Sequence, residues 1–253
     1  MHRFYCPHLA RHGPLSDVPV ALDSEQARHA RTVLRLREGD CVEVFDGDGR
    51  VGEACIERGP CGEHEPATLR LASLRSVEPP DTTVDVACAL PKGPRGAAMA
   101  ASLSQVGASC LIPLRCERGV VDPRRINRHR FEKAAIESAK QCGRAHLLDI
   151  GSPATIRELL GGAHDVRLFG SPHPEQRPDP KELAARLRRA RSVLILVGPE
   201  GGWTDNEHAM AVAGGCAPWR FGAHVMRIET ACTAAVAIVR YLASGESADT
   251  AKI

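Results

Sequence analysis

The residues best suited to chemistry lie in two short runs toward the C-terminal end of the chain. In Val193-Leu-Ile-Leu-Val197-Gly198-Pro199-Glu200-Gly201-Gly202-Trp203-Thr204, a buried-strand pattern ends in a loop with three glycines. Thr204 and Glu207 then form a capping box that opens the next helix. A backbone so free of side chains can approach a ligand closely and offer it N–H and C=O groups. An ordinary strand-to-helix turn needs fewer glycines, which favours a binding loop. The second run, Phe221-Gly222-Ala-His-Val225-Met226-Arg227-Ile-Glu229-Thr230-Ala231, sets a glycine, then a cation, a carboxylate and a hydroxyl, ahead of an apolar helix. A third strand end, Leu168-Phe169-Gly170-Ser171-Pro172, has the same form. Ligands of open α/β sheets sit at the carboxyl ends of strands, so these three corners are expected to line one pocket. Arg227 and Glu229 also suit a plain ion pair or a helix cap, and residue type alone leaves both readings open.

A second kind of chemistry is electrostatic. Between Arg115 and Leu148 nine Lys or Arg face four Asp or Glu, an excess of five positive charges, and Gln141-Cys-Gly-Arg144 adds a forked donor beside a glycine. Such a cluster is either a solvated helix face or a footprint for a phosphate backbone. The net charge of +2 decides nothing, because local clustering matters more than the sum.

Other motifs point elsewhere and are weaker. Gly47-Asp-Gly49-Arg-Val-Gly52 matches a dinucleotide fingerprint, and a nucleotide-dependent oxidoreductase is the rival reading it suggests. That chemistry needs the glycines to open a helix, whereas Glu53-Ala-Cys-Ile-Glu57 reads as a returning strand. Cys6, His8 and His12, near Arg11, have ligand types without the paired spacing of a zinc site, so no metal is expected. No Gly-x-Ser-x-Gly elbow suggests an acyl-transfer serine. The ten cysteines are scattered without a Cys-x-x-Cys pair and are expected to be mostly small buried hydrophobes. Aromatic residues make up only 4%, which disfavours an RNA-binding sheet built on rows of stacked aromatics.

The elements that must position these residues follow from periodicity. Ser24–Leu36 has helical spacing with Ser24 as cap, Cys41–Arg58 alternates on both sides of Asp46-Gly-Asp-Gly49 as a hairpin does, and Ala67–Ala72 alternates again. Residues 1–76 therefore read as a compact strand-rich module. After Glu78-Pro-Pro-Asp81 the pattern changes. Strands are expected at Val84–Leu90, Cys110–Leu114, Val166–Phe169, Val193–Val197 and Trp219–Phe221. Helices are expected at Gly96–Val106, Arg128–Cys142, Lys181–Ala190, Asp205–Val212 and Glu229–Leu242, with a frayed tail from Ser244. Such alternation implies a parallel sheet covered by helices in a second domain, residues 81–246. With 43% hydrophobic and 25% charged residues, composition gives no support to disorder, collagen or coiled coil. Neither a membrane span nor an export signal is visible, so the cytoplasm is the expected address.

Taken together, Gly198–Gly202, Arg227–Ala231, Glu117-Arg118, Glu137–Arg144, Val33–Asp40 and Phe45-Asp-Gly47 resemble the ribosomal RNA small subunit methyltransferase E family of the SPOUT superfamily. The matches run in order from Arg3-Phe-Tyr5 to Leu242. The resemblance implies an N-terminal PUA-like β-barrel for RNA docking and a C-terminal SPOUT α/β domain with a deep trefoil knot. It implies a homodimer that methylates N3 of a uridine in 16S rRNA of the small ribosomal subunit, with S-adenosyl-L-methionine as methyl donor. Carried over by position, the donor would lie among Leu168, Phe169, Gly170, Val197, Gly198, Glu200, Gly201, Gly222, Val225 and Met226. Arg227 would face charge developing on the uracil oxygens, and Glu229 would assist deprotonation or orient Arg227, with Thr230 beside them. Arg3, Arg31 and Arg35, then Arg118, Arg124, Arg125, Arg128, Gln141 and Arg144, are the expected RNA contacts. Two departures from the family pattern stand out. Ser102–Ala108 replaces a run with a lysine and a glutamate, and Ile228 replaces a threonine. The first motivates the remaining alternative, a non-catalytic RNA-binding or ribosome assembly protein that keeps the fold.

Overall fold

Strict alternation along the first strands buries one side of each. Val42 and Val44 of β3 (Cys41–Phe45), Ala54 and Ile56 of β4 (Arg50–Arg58), and Leu69 and Leu71 of β5 (Thr68–Ser76) meet Phe4 of β1 (His2–Tyr5) in one apolar cluster. The computed structural model describes residues 1–9, 19–58, 67–171 and 178–244. The expected roles of His12, Pro172 and Cys61, and the tail after Ser244, lie outside them. The chain divides into two compact units, Met1–Pro79 with Ala139–Leu147, and Pro80–Ser138 with Leu148–Ile253.

In the first unit the sheet order is β1-β3-β4-β5-β2, with β2 at Val20–Ala21; β1 runs parallel to β3 and the other neighbours are antiparallel. The Asp46–Gly49 segment is a hairpin turn. Asp46 Oδ1 accepts from the amides of Asp48 (2.8 Å) and Arg50 (3.0 Å), and Gly47 and Gly49 have φ of +86° and +100°. The chain returns as β4 rather than opening a helix, which removes the dinucleotide reading and the oxidoreductase with it. Helix α1 spans Ser24–Thr32 and is capped by Asp23, which accepts from Gln26 N, and not by Ser24 as expected. Gln26, buried, donates to Tyr5 O (2.7 Å) and accepts from Tyr5 N (2.8 Å), so its amide completes the edge of β1 as a strand would. The Ala139–Leu147 segment joins this unit through Ala139 and Ala145, which pack on Phe45 and Val51, and through Leu147 N, which donates to Gly47 O. Periodicity within 1–76 gave no sign of that segment.

The second unit carries a six-stranded, wholly parallel sheet. Its strands are β6 (Thr83–Cys88), β7 (Cys110–Pro113), β8 (Asp149–Ile150), β9 (Val166–Gly170), β10 (Ser192–Val197) and β11 (Ala217–Trp219), in the order β11-β9-β10-β6-β7-β8. Val193 to Leu196 in β10 are all fully buried, as expected for a strand covered on both faces. The helices are α2 (Arg95–Gln105), α3 (Arg128–Cys142), α4 (Ile156–Leu160), α5 (Pro180–Arg189), α6 (Asp205–Ala213) and α7 (Ile228–Ser244). Helix α7 packs on α2, α5, β6 and β10. The last strand ends at Trp219, two residues before the expected Phe221, and β8, of two residues, and α4, of five, are too short to repeat their patterns and so were not foreseen. No helix among the described residues is long and apolar enough to cross a membrane.

Candidate active site

Parallel strands deliver all their C-terminal loops to the same edge of the sheet, and β11, β9 and β10 are neighbours. The three side-chain-poor corners therefore emerge side by side. They are also tied to one another. Trp203 Nε1 donates to Gly170 O at 2.9 Å, joining the loop after β10 to the end of β9. Ser171 N donates to Trp219 O at 3.2 Å, joining the end of β9 to β11.

The glycines have reasons inside the fold. A Cβ at Gly198 would stand 2.8 Å from the Trp203 ring and one at Gly222 2.7 Å from Met226 Cε, while Gly202 holds φ at +71°. A Cβ at Gly201 would lie 3.3 Å from Arg118 Cβ. The excess that sequence reading assigned to ligand approach is thus required in large part by packing and turn geometry. What the turn leaves is backbone held rigidly at the strand ends.

One acidic and one basic side chain organise this backbone. Buried Glu207 closes the predicted capping box: Oε2 accepts from Thr204 N (2.9 Å) and Thr204 Oγ1 (3.2 Å). Its Oε1 accepts from Glu117 N at 2.9 Å, anchoring the 116–118 turn to the start of α6. Arg118 on that turn donates through Nη1 to Gly201 O (3.1 Å) and Trp203 O (3.2 Å). It was expected to contact RNA; the structure has it bracing the glycine loop.

Arg95, at the first turn of α2, was missed by sequence reading. Its Nη1 lies 3.4 Å from Glu229 Oε1 and its Nη2 4.0 Å from Glu200 Oε1, so one guanidinium bridges the glycine loop and the start of α7. Glu229 Oε2 is buried without a partner among the described residues. Glu229 is therefore paired with Arg95, a partner not expected for it. Arg227 and Thr230 are exposed, and Val225 is 83% exposed. A Lys-Gly-x-Arg run opening α2 offered no period or pair that sequence reading could use, which is why Arg95 went unseen. Arg220, also unforeseen, shapes the loop after β11 by donating to Gly222 O (3.1 Å) and Ala223 O (2.7 Å).

Of the other expected donor contacts, Leu168, Phe169 and Val197 are buried in the core and can offer a ligand only main-chain atoms, while Gly170 and Met226 are half-buried and Glu200 exposed. A cavity of about 990 Å³ lies between α5, α7 and the 219–223 segment; it shares Gly222 with the expected set and is otherwise lined by residues such as Leu183, Phe221 and Ile238.

The expected RNA contacts differ sharply in availability. Arg3 is withdrawn: its side chain is 6% exposed, it pairs with Glu43 at 2.5 Å, lies over the Phe45 ring at 4.2 Å, and donates to Ala139 O and Arg144 O at 2.8 Å. Burial lowers its pKa. A cation so enclosed serves the first unit's core, so its assignment as a phosphate contact is corrected. Arg144 is half-buried, with Nε donating to His146 O. Arg124 is held in a fork by Asp122 (3.0 Å for each bond), and these bonds bring the Asp122 carboxyl down to about 2. Arg125 is 88% exposed and 3.7 Å from Asp122. Arg128 pairs with Glu132 at 2.6 Å, Gln141 and Arg35 are exposed, and Arg31 is half-buried. Among the described residues no group of three or more His, Cys, Asp or Glu is arranged to hold a metal ion.

Comparison with known proteins agrees with this architecture. Residues 78–240 match the model of an RNA methyltransferase domain and residues 22–60 that of an RNA methyltransferase PUA domain. Ribosomal RNA small subunit methyltransferase E of Synechocystis is 30% identical over 89% of this chain and 74% of its own length, and that of Mycobacterium bovis 28% identical over 91% and 89%. The crystal structure of a ribosomal RNA small subunit methyltransferase E from Neisseria gonorrhoeae, bound to S-adenosyl methionine, superposes with a TM-score of 0.80 at 25% identity, covering 96% of this chain and 98% of that one. The parallel sheet of the second unit is that of SPOUT methyltransferases and the first unit is a PUA domain. By the reach of the domain match and the identity shared along nearly its whole length, the chain belongs to the ribosomal RNA small subunit methyltransferase E family.

Proposed function

We propose that this chain methylates N3 of a uridine in 16S rRNA of the small ribosomal subunit, using S-adenosyl-L-methionine as donor. The observation that carries the reading is the joining of three strand-end corners through Trp203 and Ser171, with Arg95 linking Glu200 of one corner to Glu229, in a chain of this family. The residues present fit the donor: rigid backbone corners suit an adenosine and a methionine tail, and two carboxylates, one with a buried unpartnered oxygen, suit a cation. Main chain at Leu168–Gly170 and Val197–Gly201, with Glu200, Gly222, Val225 and Met226, would hold it. When bound, it supplies an electrophilic methyl group on a sulfonium centre.

The chain's own residues must solve two problems. Uracil N3 lies on the pairing edge, so the base has to be unpaired and presented. N3 also carries a proton that must leave before its lone pair is nucleophilic. Glu229 is the proposed acceptor: Arg95 engages Oε1 and leaves Oε2. Exposed Arg227 is proposed to face the uracil oxygens and stabilise the negative charge they gain, with Thr230 beside it. Arg31, Arg35, Arg124, Arg125, Arg128 and Gln141 are the proposed RNA contacts; Arg118 and Arg144 support backbone. The family pattern supports a homodimer and a knotted C-terminal part, and the insertion of β10 between β9 and β6 is in keeping with the latter. The boundary proposed between the PUA-like and SPOUT parts is the 76–81 segment, with Ala139–Leu147 returning to the first.

Single-turnover methylation of small subunits lacking the modification tests the roles. Arg227→Ala and Glu229→Gln should each slow transfer at least tenfold with donor affinity largely kept, and the pH profile of Glu229→Gln should lose its rising limb. Wild-type rates from both variants would remove the assignments.

A further inference from the structure

Cysteine on the exposed face of a strand gains little from packing, and the first unit has two that meet. Cys41 is exposed, Cys55 is half-buried, both are free thiols, and they stand directly opposite each other on β3 and β4 with Sγ atoms 3.3 Å apart. The ladder fixes what kind of pair this is. Asp46 N donates to Arg50 O (3.2 Å) and Ile56 N to Asp40 O (3.0 Å), so opposed residues at even positions of β3 are the hydrogen-bonded pairs. Cys41 and Cys55, lying between Asp40/Ile56 and Val42/Ala54, are therefore a non-hydrogen-bonded pair. Such pairs bring Cα atoms to about 4.5 Å, inside the roughly 4.4–6.8 Å span that a disulfide accepts. Cys88 and Cys232, also neighbours, are wholly buried and out of reach of a dissolved oxidant. Cys6, Cys116 and Cys216 are buried as well.

We propose that Cys41 and Cys55 are a reversible thiol–disulfide site that staples the β3–β4 hairpin. The oxidant is a small-molecule disulfide of the oxidised-glutathione class. One cysteine thiolate attacks a sulfur of that disulfide, breaking its S–S bond, releasing one small thiol and leaving a mixed disulfide on the protein. The thiolate opposite then attacks the protein sulfur, forming the Sγ–Sγ bond and releasing the second small thiol. Two protein thiols are oxidised by two electrons in all, and the small disulfide is reduced by the same two electrons and takes up the two protons. The pair belongs to the first unit and the strand-end corners to the second, and it does not depend on the methyl-transfer reading.

The test uses the full chain in its native state, incubated with oxidised glutathione, blocked with an alkylating agent and digested with trypsin without reduction. Cleavage after Arg37, Arg50 and Arg58 puts Cys41 and Cys55 on separate peptides, 38–50 and 51–58, each with a single cysteine. The expected product is these two peptides joined, two hydrogens lighter than their sum, and separated again by dithiothreitol. Cys41→Ser should convert Cys55 to a stable glutathione adduct, and Cys55→Ser should do the same to Cys41. Recovery of both wild-type peptides alkylated, a persistent glutathione adduct on either one, or joining of either to a different cysteine would overturn the proposal. Because Cys41 is exposed, its serine variant should melt with the wild type, which separates loss of the bond from loss of the fold.

Discussion

At the scale of single residues, Arg95 has the widest reach of the side chains around the corners. It stands on α2, yet its guanidinium meets Glu200 after β10 and Glu229 at the start of α7. Arg95→Ala would leave both carboxylates without their cation, so methyl transfer should fall tenfold or more, about 1.4 kcal/mol or above in the barrier. Arg95→Lys, which keeps the charge but loses the fork, should recover part of that; measured rates equal to wild type in both variants would contradict a positioning role. Asp122 gives a prediction of opposite flavour. Its folded carboxyl is depressed to about 2, from an ordinary 3.8, by Arg124. A depressed acid contributes stability that is fully present above the unfolded value and is lost as pH falls through the folded one. The difference in melting temperature between wild type and Asp122→Asn should therefore be constant above about pH 4 and shrink toward pH 2. The same variant frees Arg124 from its fork, so RNA affinity at low salt should rise. A constant melting difference down to pH 2 would show that the clamp does not form.

At the scale of elements, packing at the corners is tight enough to be read by mutation. A methyl group added at Gly198 would press on Trp203 and disturb its bond to Gly170 O. Gly198→Ala should cost about 1–3 kcal/mol in urea unfolding and weaken donor binding with it. An unchanged midpoint would mean the loop yields. Helix α7 is tied to the turn after α2 and to the start of β6 by Arg240, which donates to Gly107 O through Nε (2.9 Å) and Nη2 (2.5 Å) and to Thr82 O through Nη1 (2.6 Å). Burial lowers its pKa, yet the two carbonyls it meets suit a cation. Arg240→Met should cost about 1–2 kcal/mol, because half-buried carbonyls lose their donors. Long periodic elements were legible from sequence: α3 lies at Arg128–Cys142 as its spacing predicts, and β10 declared itself by an unbroken apolar run. What was not legible depends on partners distant in sequence. Gln26 closing the edge of β1, Arg95 bridging the glycine loop and the start of α7, and Arg240 holding Gly107 O and Thr82 O are single polar residues whose role exists only after the chain has folded. The cap of α1 was misplaced by one residue because Asp23 and Ser24 are both good caps and only the geometry chooses.

At the scale of the whole molecule, charge summed along the sequence was a poor guide to charge available for RNA. Arg3 and Arg124, alike in sequence, are respectively enclosed by Glu43 and Phe45 and forked by Asp122. The exposed cations that remain should still give RNA binding a steep salt dependence, and Arg125→Ala should flatten the slope of log affinity against log salt by about 0.7–0.9. An unaltered slope would remove Arg125 from the footprint. The glycine corners were legible in position but not in cause, since Gly198 and Gly222 are small to admit Trp203 and Met226. The most direct test of the reading as a whole is the methylation state of one molecule of RNA. Small subunits from cells lacking the modification are incubated with this protein and isotope-labelled S-adenosylmethionine, and the 16S rRNA is digested and mapped by mass spectrometry. The expected result is one labelled methyl group per subunit, on N3 of a single uridine. No label in the RNA, or label on another atom or base, would contradict the account.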